Sequence, residues 1–280
     1  MPTLNAIAAD RLMRLVGTAH CPFLVDVRDD TAFTADQRLI PGAVRRSADT
    51  VSEWGSGLGR ASAVIICDDG GAASQGVAAW LRHEGIAAEV LESGFRAWAD
   101  AGFALVPETR LPARDAKGRT LWVTRARPKI DRIACPWLIR RFVDPNAVFL
   151  FVPPSEVLEV ARRFGAAPFD IEGDGVFWSH RGERCTFDVM VEELGLGVIA
   201  PLGHLATIVR GADTGHPEIV PEAAGLLAAS LGLSRIYADD LEQLDAGMLL
   251  YDAFYRWCRD ARAETHNWAS HTPARATVRA

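Results

Sequence analysis

The stretch Ala63-Val64-Ile65-Ile66-Cys67-Asp68-Asp69-Gly70-Gly71-Ala72-Ala73-Ser74 decides the fold of the first part of this chain. Its short apolar run, rich in β-branched residues, reads as a strand buried on both faces. Asp-Asp-Gly-Gly stops it, and Val77, Trp80 and Leu81 then share one helical face up to Gly85. Working outward, residues 23–27 and 89–91 are further apolar strands, and 10–16 and 95–101 have helical spacing. Strands alternating with helices predict an α/β unit, a doubly wound parallel sheet, over residues 1–107.

The whole sequence fits that start. At 280 residues it has room for two domains. Its 49% hydrophobic and 24% charged residues exclude a disordered, collagen-like or polybasic-tail protein. Five cysteines, at 21, 67, 135, 185 and 258, form no CxxC pair, which argues against a zinc ribbon or a secreted disulfide framework. The N-terminus has neither a basic nor an apolar leader region, and no run of apolar residues is long enough to span a bilayer. The expectation is a cytoplasmic protein with reduced thiols and no membrane partner.

Residues 108–118, with Pro112 and Gly118 among charges, read as a linker. A second domain, α+β and mostly helical, is expected over 119–263, with a polar tail at 264–280. It opens with a strand at 121–123. A helix over 135–142 would place Pro136 at its first position and Cys135 at its N-cap. A strand at 148–152 and a helix at 155–164 stopped by Gly165 follow. Residues 176–180 and 185–189 read as a hairpin about Gly182-Glu183. Helices are expected at 202–209, 222–231 and 240–259. The last carries an apolar seam of Leu241, Leu244, Met248, Tyr251, Tyr255 and Cys258.

Three groups of residues can carry chemistry. Cys67 ends its strand before a Gly-rich loop and a helix start, where backbone N–H groups converge on a thiol, a persulfide or a bound oxyanion. Asp68 and Asp69 beside it work against a thiolate. Residues 110–141 hold ten basic side chains against Asp115 and Asp131, a net of +8 in a chain of −6. Nearly all are arginines; Lys117 and Lys129 are the chain's two lysines. Arg125, Arg132 and Arg140 around Cys135 are candidates to bind an oxyanion, with the helix start favouring a thiolate. The same stretch could meet nucleic acid phosphate or acidic surface of the chain itself. The hairpin register would set His180 beside Cys185, a pair suited to a metal ion, with Asp170, Glu172, Asp188 and His204 as further candidates. A metal ion is the one cofactor these residues suggest.

Three ordered motifs in residues 1–107 carry a resemblance. Leu24-Val25-Asp26-Val27-Arg28, Leu39-Ile40-Pro41-Gly42-Ala43 and Glu92-Ser93-Gly94-Phe95-Arg96-Ala97-Trp98 resemble the rhodanese homology domain. The resemblance implies sulfur transfer through a persulfide on Cys67. Here Ser74 stands seven residues after Cys67, one more than that family's loop. Either the loop is longer or Asp68 takes the nucleophile's place, which would leave a docking module without catalysis.

Residues 124–142, His180-Arg181-Gly182 with Cys185-Thr186-Phe187-Asp188, Ile208 to Thr214, Pro221 to Leu226 and Tyr251 to Arg259 resemble the chromate resistance protein family of ChrB type. That implies a link to chromate resistance and, for some members, chromate-sensing regulation through a DNA-binding N-terminal segment. No helix-turn-helix is legible here. The leading expectation is a fusion protein handling thiol sulfur or an oxyanion in metal stress, with a small anion or a sulfur donor or acceptor as partner. Its rivals are a metal- or chromate-sensing regulator and the docking module.

Overall fold

The computed structural model describes residues 5–59 and 62–264. The expected tail, apart from Glu264, lies outside them. The first domain carries strands β1 (Ala6–Ile7), β2 (Phe23–Asp26), β3 (Arg38–Leu39), β4 (Ala43–Arg45), β5 (Ala63–Ile66), β6 (Ala88–Leu91) and β7 (Val106–Pro107). Its helices are α1 (Ala9–Met13), α2 (Asp30–Ala35), α3 (Val51–Trp54), α4 (Ala72–His83) and α5 (Gly94–Asp100). Five strands form a parallel sheet in the order β1-β6-β5-β2-β4, while β3 and β7 pair antiparallel.

Side-chain alternation explains the double winding. Leu24, Val64, Ile66 and Leu91 face one side, against Leu12 of α1 and Phe95 and Trp98 of α5. Val25, Ala63, Ile65, Cys67 and Val90 face the other, against Val77, Ala78 and Leu81 of α4. With both faces covered, the strands are apolar throughout, as the opening stretch predicts.

The second domain adds a smaller parallel sheet, β10-β8-β9, from β8 (Leu121–Arg125), β9 (Val148–Val152) and β10 (Ala167–Pro168). Its helices are α6 (Asp131–Phe142), α7 (Val157–Phe164), α8 (Thr186–Glu193), α9 (Ala200–Asp213), α10 (Glu222–Ile236) and α11 (Asp240–Asp260). Val123 of β8 packs on Val157 and Ala161 of α7, and Trp122 points the opposite way into the main core. Gly165 ends α7 in the left-handed conformation, φ +65°. The seam on α11 is core from Leu244 to Cys258, while Leu241 is exposed.

Two expectations about this domain fail for physical reasons. Helix α6 starts at Asp131, so Cys135 is fully buried inside it and Pro136 is an interior proline. The start is fixed by Ile130, whose φ of +38° is a strained value for a β-branched residue. Contacts from α10 and α11 hold that turn: Ile130 N–H donates to Ser230 Oγ, Tyr251 O–H donates to the Ile130 carbonyl, and Gln243 Nε2 donates to Pro128 O. Tertiary contacts thus outweigh the preference of proline for a first turn.

The hairpin is the second failure. Arg181 and Arg184 pair around Gly182 (φ +62°), but residues 186–189 belong to α8 instead of a strand. Carboxylates take the free N–H groups at its start: Asp188 accepts from Cys185 N–H, and Asp131 from Thr186 and Phe187 N–H. In α10 the helix also continues through Gly232 to Ile236.

One apolar core runs from the α1/α5 face of the large sheet into α6, α8, α9 and α11. Phe142, at the end of α6, lies on the turn at Gly17 (φ +76°), where an added Cβ would stand 2.1 Å from its ring. Gly42 N–H donates to Phe142 O at 2.6 Å. The 108–118 segment is packed down rather than loose, with Gly118 against the Arg46 guanidinium.

Candidate functional sites

The first site is the end of β5. Cys67 is 5% exposed, and its Sγ lies 3.1 Å from Ser74 Oγ and 3.5 Å from Asp69 Oδ1. Ser74 sits in the first turn of α4 and donates to Gly71 O, so the extra loop residue still delivers its hydroxyl to the thiol. Gly70 and Gly94 make the close approach: a Cβ on Gly94 would meet Cys67 O at 2.5 Å and Gly70 N at 2.6 Å. Asp68 turns away to pair with Arg96. Asp69, exposed at the loop surface, accepts Gly71 N–H and the thiol, and these bonds lower its own pKa. A carboxylate of the loop itself therefore holds part of the loop's anion-binding capacity.

A cavity of about 1010 Å³ opens beside Cys67. Its lining mixes Arg28, Arg45, Arg46, Arg96 and, from the connecting segment, Arg114 with the carboxylates of Asp29, Asp30, Asp49, Asp68, Asp69 and Glu108. Arg45 pairs with Asp30, and Arg114 reaches Glu108 and Asp144. Arg46 is different. Among the described residues it donates to Arg45 O but pairs with no carboxylate, and burial followed by the nearby Arg114 charge lowers its pKa. An anion entering the cavity relieves that half-buried charge.

The second site lies where α6, α8, α9 and the turn at Gly182 meet. His180 Nε2 is 3.3 Å from Asp170 Oδ1, 3.3 Å from Asp213 Oδ2 and 3.6 Å from Asp131 Oδ2. Asp131 opens α6 just after the strained Ile130, and Asp170 itself has φ +51°. Two of the four non-glycine residues with positive φ among those described thus shape this cluster. Asp213 closes α9. Arg125 and Arg132 both reach Asp170 Oδ2, at 3.2 and 3.3 Å, and Thr186 Oγ1 donates to Asp170 Oδ1.

The ionisation pattern follows from those contacts. Hydrogen bonds to Asp170 and then Asp213 push the His180 pKa up to about 10. Burial, then the charges of Asp213 and Asp170, raises Asp131 well above the carboxylate range. Burial opposes ionisation of Asp170, yet its bond to His180 and the Arg125 and Arg132 charges leave its pKa lowered.

Of the residues singled out from sequence, Arg125, Arg132 and His180 come together at Asp170. Arg140 lies elsewhere, pairing with Asp245 and stacking over Phe149. Cys135 and Cys185 are fully buried thiols whose pKa values burial raises, so the thiolate expected of Cys135 at a helix start does not arise. Asp131, Asp170 and His180 bring donor atoms within 4.8 Å of one another, and Cys185 is not in that group. Sequence reasoning missed Asp131 and Asp213 as members. Both lay inside quoted motifs, but with 82 residues between them no spacing rule links them.

Much of the basic stretch is paired within the chain, although Arg110, Lys117, Arg127 and Lys129 are exposed. Arg110 pairs with Glu193, Arg119 with Asp115 and Arg141 with Asp252, while Arg127 donates to Ser234, Tyr237 and Ala238 carbonyls. Its charge meets acidic groups and carbonyls of the chain itself.

A doubly wound domain with a cysteine at a strand end, joined to a mostly helical domain with a carboxylate-histidine cluster, defines a two-part architecture. Residues 8–101 match the rhodanese-like domain family, and residues 122–258 match the family described as ChrB, C-terminal domain. The two matches lie one after the other along the chain, a rhodanese-like domain first and a ChrB C-terminal domain second. A curated relative, Protein ChrB of Cupriavidus metallidurans, is 33% identical over 148 residues, or 52% of this chain and 43% of that one. The chain thus matches less than half the length of that relative.

Solved structures similar to the first domain include a rhodanese-related protein from Thermoplasma volcanium, at 21% identity, 37% of this chain, 99% of that chain and a TM-score of 0.33. A rhodanese-like domain protein from Staphylococcus aureus aligns at 27% identity over 34% and 91% of the two chains, with a TM-score of 0.31. Among the described residues no helix is long and apolar enough to cross a membrane.

Proposed function

We propose that this protein acts in chromate or related metal stress by handling thiol sulfur or a small oxyanion, with Cys67 as the carrier thiol. The observation that carries the reading is Cys67 at the edge of a cavity of mixed charge in which Arg46 has no carboxylate partner among the described residues. A sulfane donor such as thiosulfate would place its anionic end near Arg46. The Cys67 thiolate would attack its outer sulfur, the sulfur–sulfur bond of thiosulfate would break, and sulfite would leave with the electron pair, giving the persulfide. The persulfide would then pass that sulfur to a nucleophilic acceptor, with the loop N–H groups and Ser74 holding the sulfur anion. A cytoplasmic location, where thiols stay reduced, belongs to this reading.

The test is a thiosulfate:cyanide sulfurtransferase assay of the wild type and Cys67→Ala. Turnover above background that disappears in the variant supports sulfur transfer. Equal background rates refute it and leave the first domain as a docking module. A second reading, a metal- or chromate-sensing regulator, is favoured by the histidine-carboxylate cluster. It requires salt-dependent DNA binding, and no binding at low salt would exclude it.

A further inference from the structure

Asp131 holds an unusual position. It is fully buried, its Oδ2 accepts two backbone N–H groups at the start of α8, and its Oδ1 has no hydrogen-bond partner. A buried carboxylate oxygen left without a partner costs on the order of 1–3 kcal/mol unless something else satisfies it. Around it stand Asp170, Asp213 and one imidazole nitrogen. A protonated His180 offers a single N–H at Nε2, which can point at only one of three carboxylate oxygens. The arrangement therefore holds more acceptors than the protein supplies with donors.

Two further observations point the same way. Asp213 sits at the C-terminal end of a 14-residue helix, where the helix dipole disfavours a negative side chain. A cation beside it reverses that penalty. The spacing also fits. A tetrahedral ion bonded at roughly 2.0–2.1 Å to nitrogen and oxygen ligands holds its donors about 3.3 Å apart. His180 Nε2 stands 3.3, 3.3 and 3.6 Å from oxygens of Asp170, Asp213 and Asp131, and donor atoms of Asp131, Asp170 and His180 lie within 4.8 Å of one another, a group that leaves Asp213 out.

We propose that Asp131, Asp170 and His180 bind one divalent first-row transition-metal ion, with Asp213 beside His180 supporting that ligand from outside the set. Two carboxylates, one imidazole and no thiolate make it an oxygen-rich site, suited to Mn2+, Fe2+ or Zn2+ more than to soft ions such as Cu(I). Arg125 and Arg132 hold Asp170 from behind, as groups beyond the ligands commonly do. The His180 side chain, 41% exposed, provides the route in for the ion. This proposal does not rest on sulfur transfer: the assay at Cys67 can fail while the metal titration succeeds, and the reverse.

The experiment uses the full chain, stripped with a chelator and titrated separately with Mn2+ and Zn2+. Binding is read by calorimetry and by the thermal midpoint. The expected result is one equivalent of at least one ion and a raised midpoint. Asp213→Asn and His180→Gln should each weaken binding by roughly tenfold or more. Circular dichroism checks that both variants fold. Should either fail to fold, the pulsed electron spin resonance spectrum of bound Mn2+ in the wild type decides, by showing or lacking coupling to an imidazole nitrogen. No stoichiometric binding to the wild type, unchanged affinity in both folded variants, or bound Mn2+ without nitrogen coupling would each overturn the proposal.

Discussion

The loop at Cys67 and the cluster at His180 both concentrate charge, and they do so in opposite ways. At Cys67 the thiol faces an open cavity, Asp68 is taken up by Arg96, and Arg46 is left without an anion. At His180 the carboxylates are buried or half-buried, and a single imidazole faces three of them. Among the described residues one site leaves a half-buried arginine without a carboxylate, and the other leaves a buried carboxylate oxygen without a hydrogen-bond partner. The contrast separates a thiol site from a carboxylate–histidine site, and part of the +8 stretch belongs to the second. Arg125 and Arg132 are held by Asp170 at the acidic site.

Five substitutions, one of them a control, press on that contrast. Cys67→Ala should lower the sulfurtransferase rate by about two orders of magnitude or more, to the level of background, because the covalent carrier is gone. Cys21→Ala, a half-buried thiol outside both sites, should leave it unchanged. Next, Asp131→Ala should lower stability by about 2–4 kcal/mol in urea unfolding, since the first N–H groups of α8 lose their acceptor inside the core. A loss below about 0.5 kcal/mol would mean that water reaches those groups.

Arg46→Gln should raise KM for thiosulfate by roughly five- to tenfold with kcat nearly unchanged, the pattern of uniform anion binding. A fall in kcat alone would move Arg46 from binding to the chemistry. The smallest effect is expected at Asp69→Asn. The amide oxygen keeps an acceptor for Gly71 N–H and removes the negative charge beside Sγ, so alkylation of Cys67 by iodoacetamide should quicken by about two- to fivefold. An unchanged rate would show that the carboxylate does not restrain the thiol.

Much of the first domain was legible because its signals are local. Ala63 to Ile66 is apolar on both faces, and the run ends where Asp68 begins. Cys67 therefore had one place to be. Ser74 was placed correctly as a residue but not as a contact, since its reach depends on how Gly70 and Gly94 let two loops approach. In the second domain the decisive contacts are distant in sequence. Pro136 argued locally for a helix start, while Ser230 and Tyr251, about 100 and 121 residues from Ile130, fix that start at Asp131. Residues 185–189 alternate in polarity like a strand, yet Asp131 and Asp188 accept the N–H groups that a helix leaves free. Asp213 joins His180 only when α9 is packed, and nothing in its neighbourhood along the chain announces that.

The contact between Phe142 and Gly17 has a consequence for how the two modules evolve and unfold. A ring from one module fills a space that only glycine leaves open in the other, and their apolar interiors are continuous across it. Neither module can be exchanged for a homologue without importing the matching half of that joint. Heat or denaturant should then melt the pair in one cooperative step, and a protease cutting between residues 108 and 118 would leave two halves still clasped together.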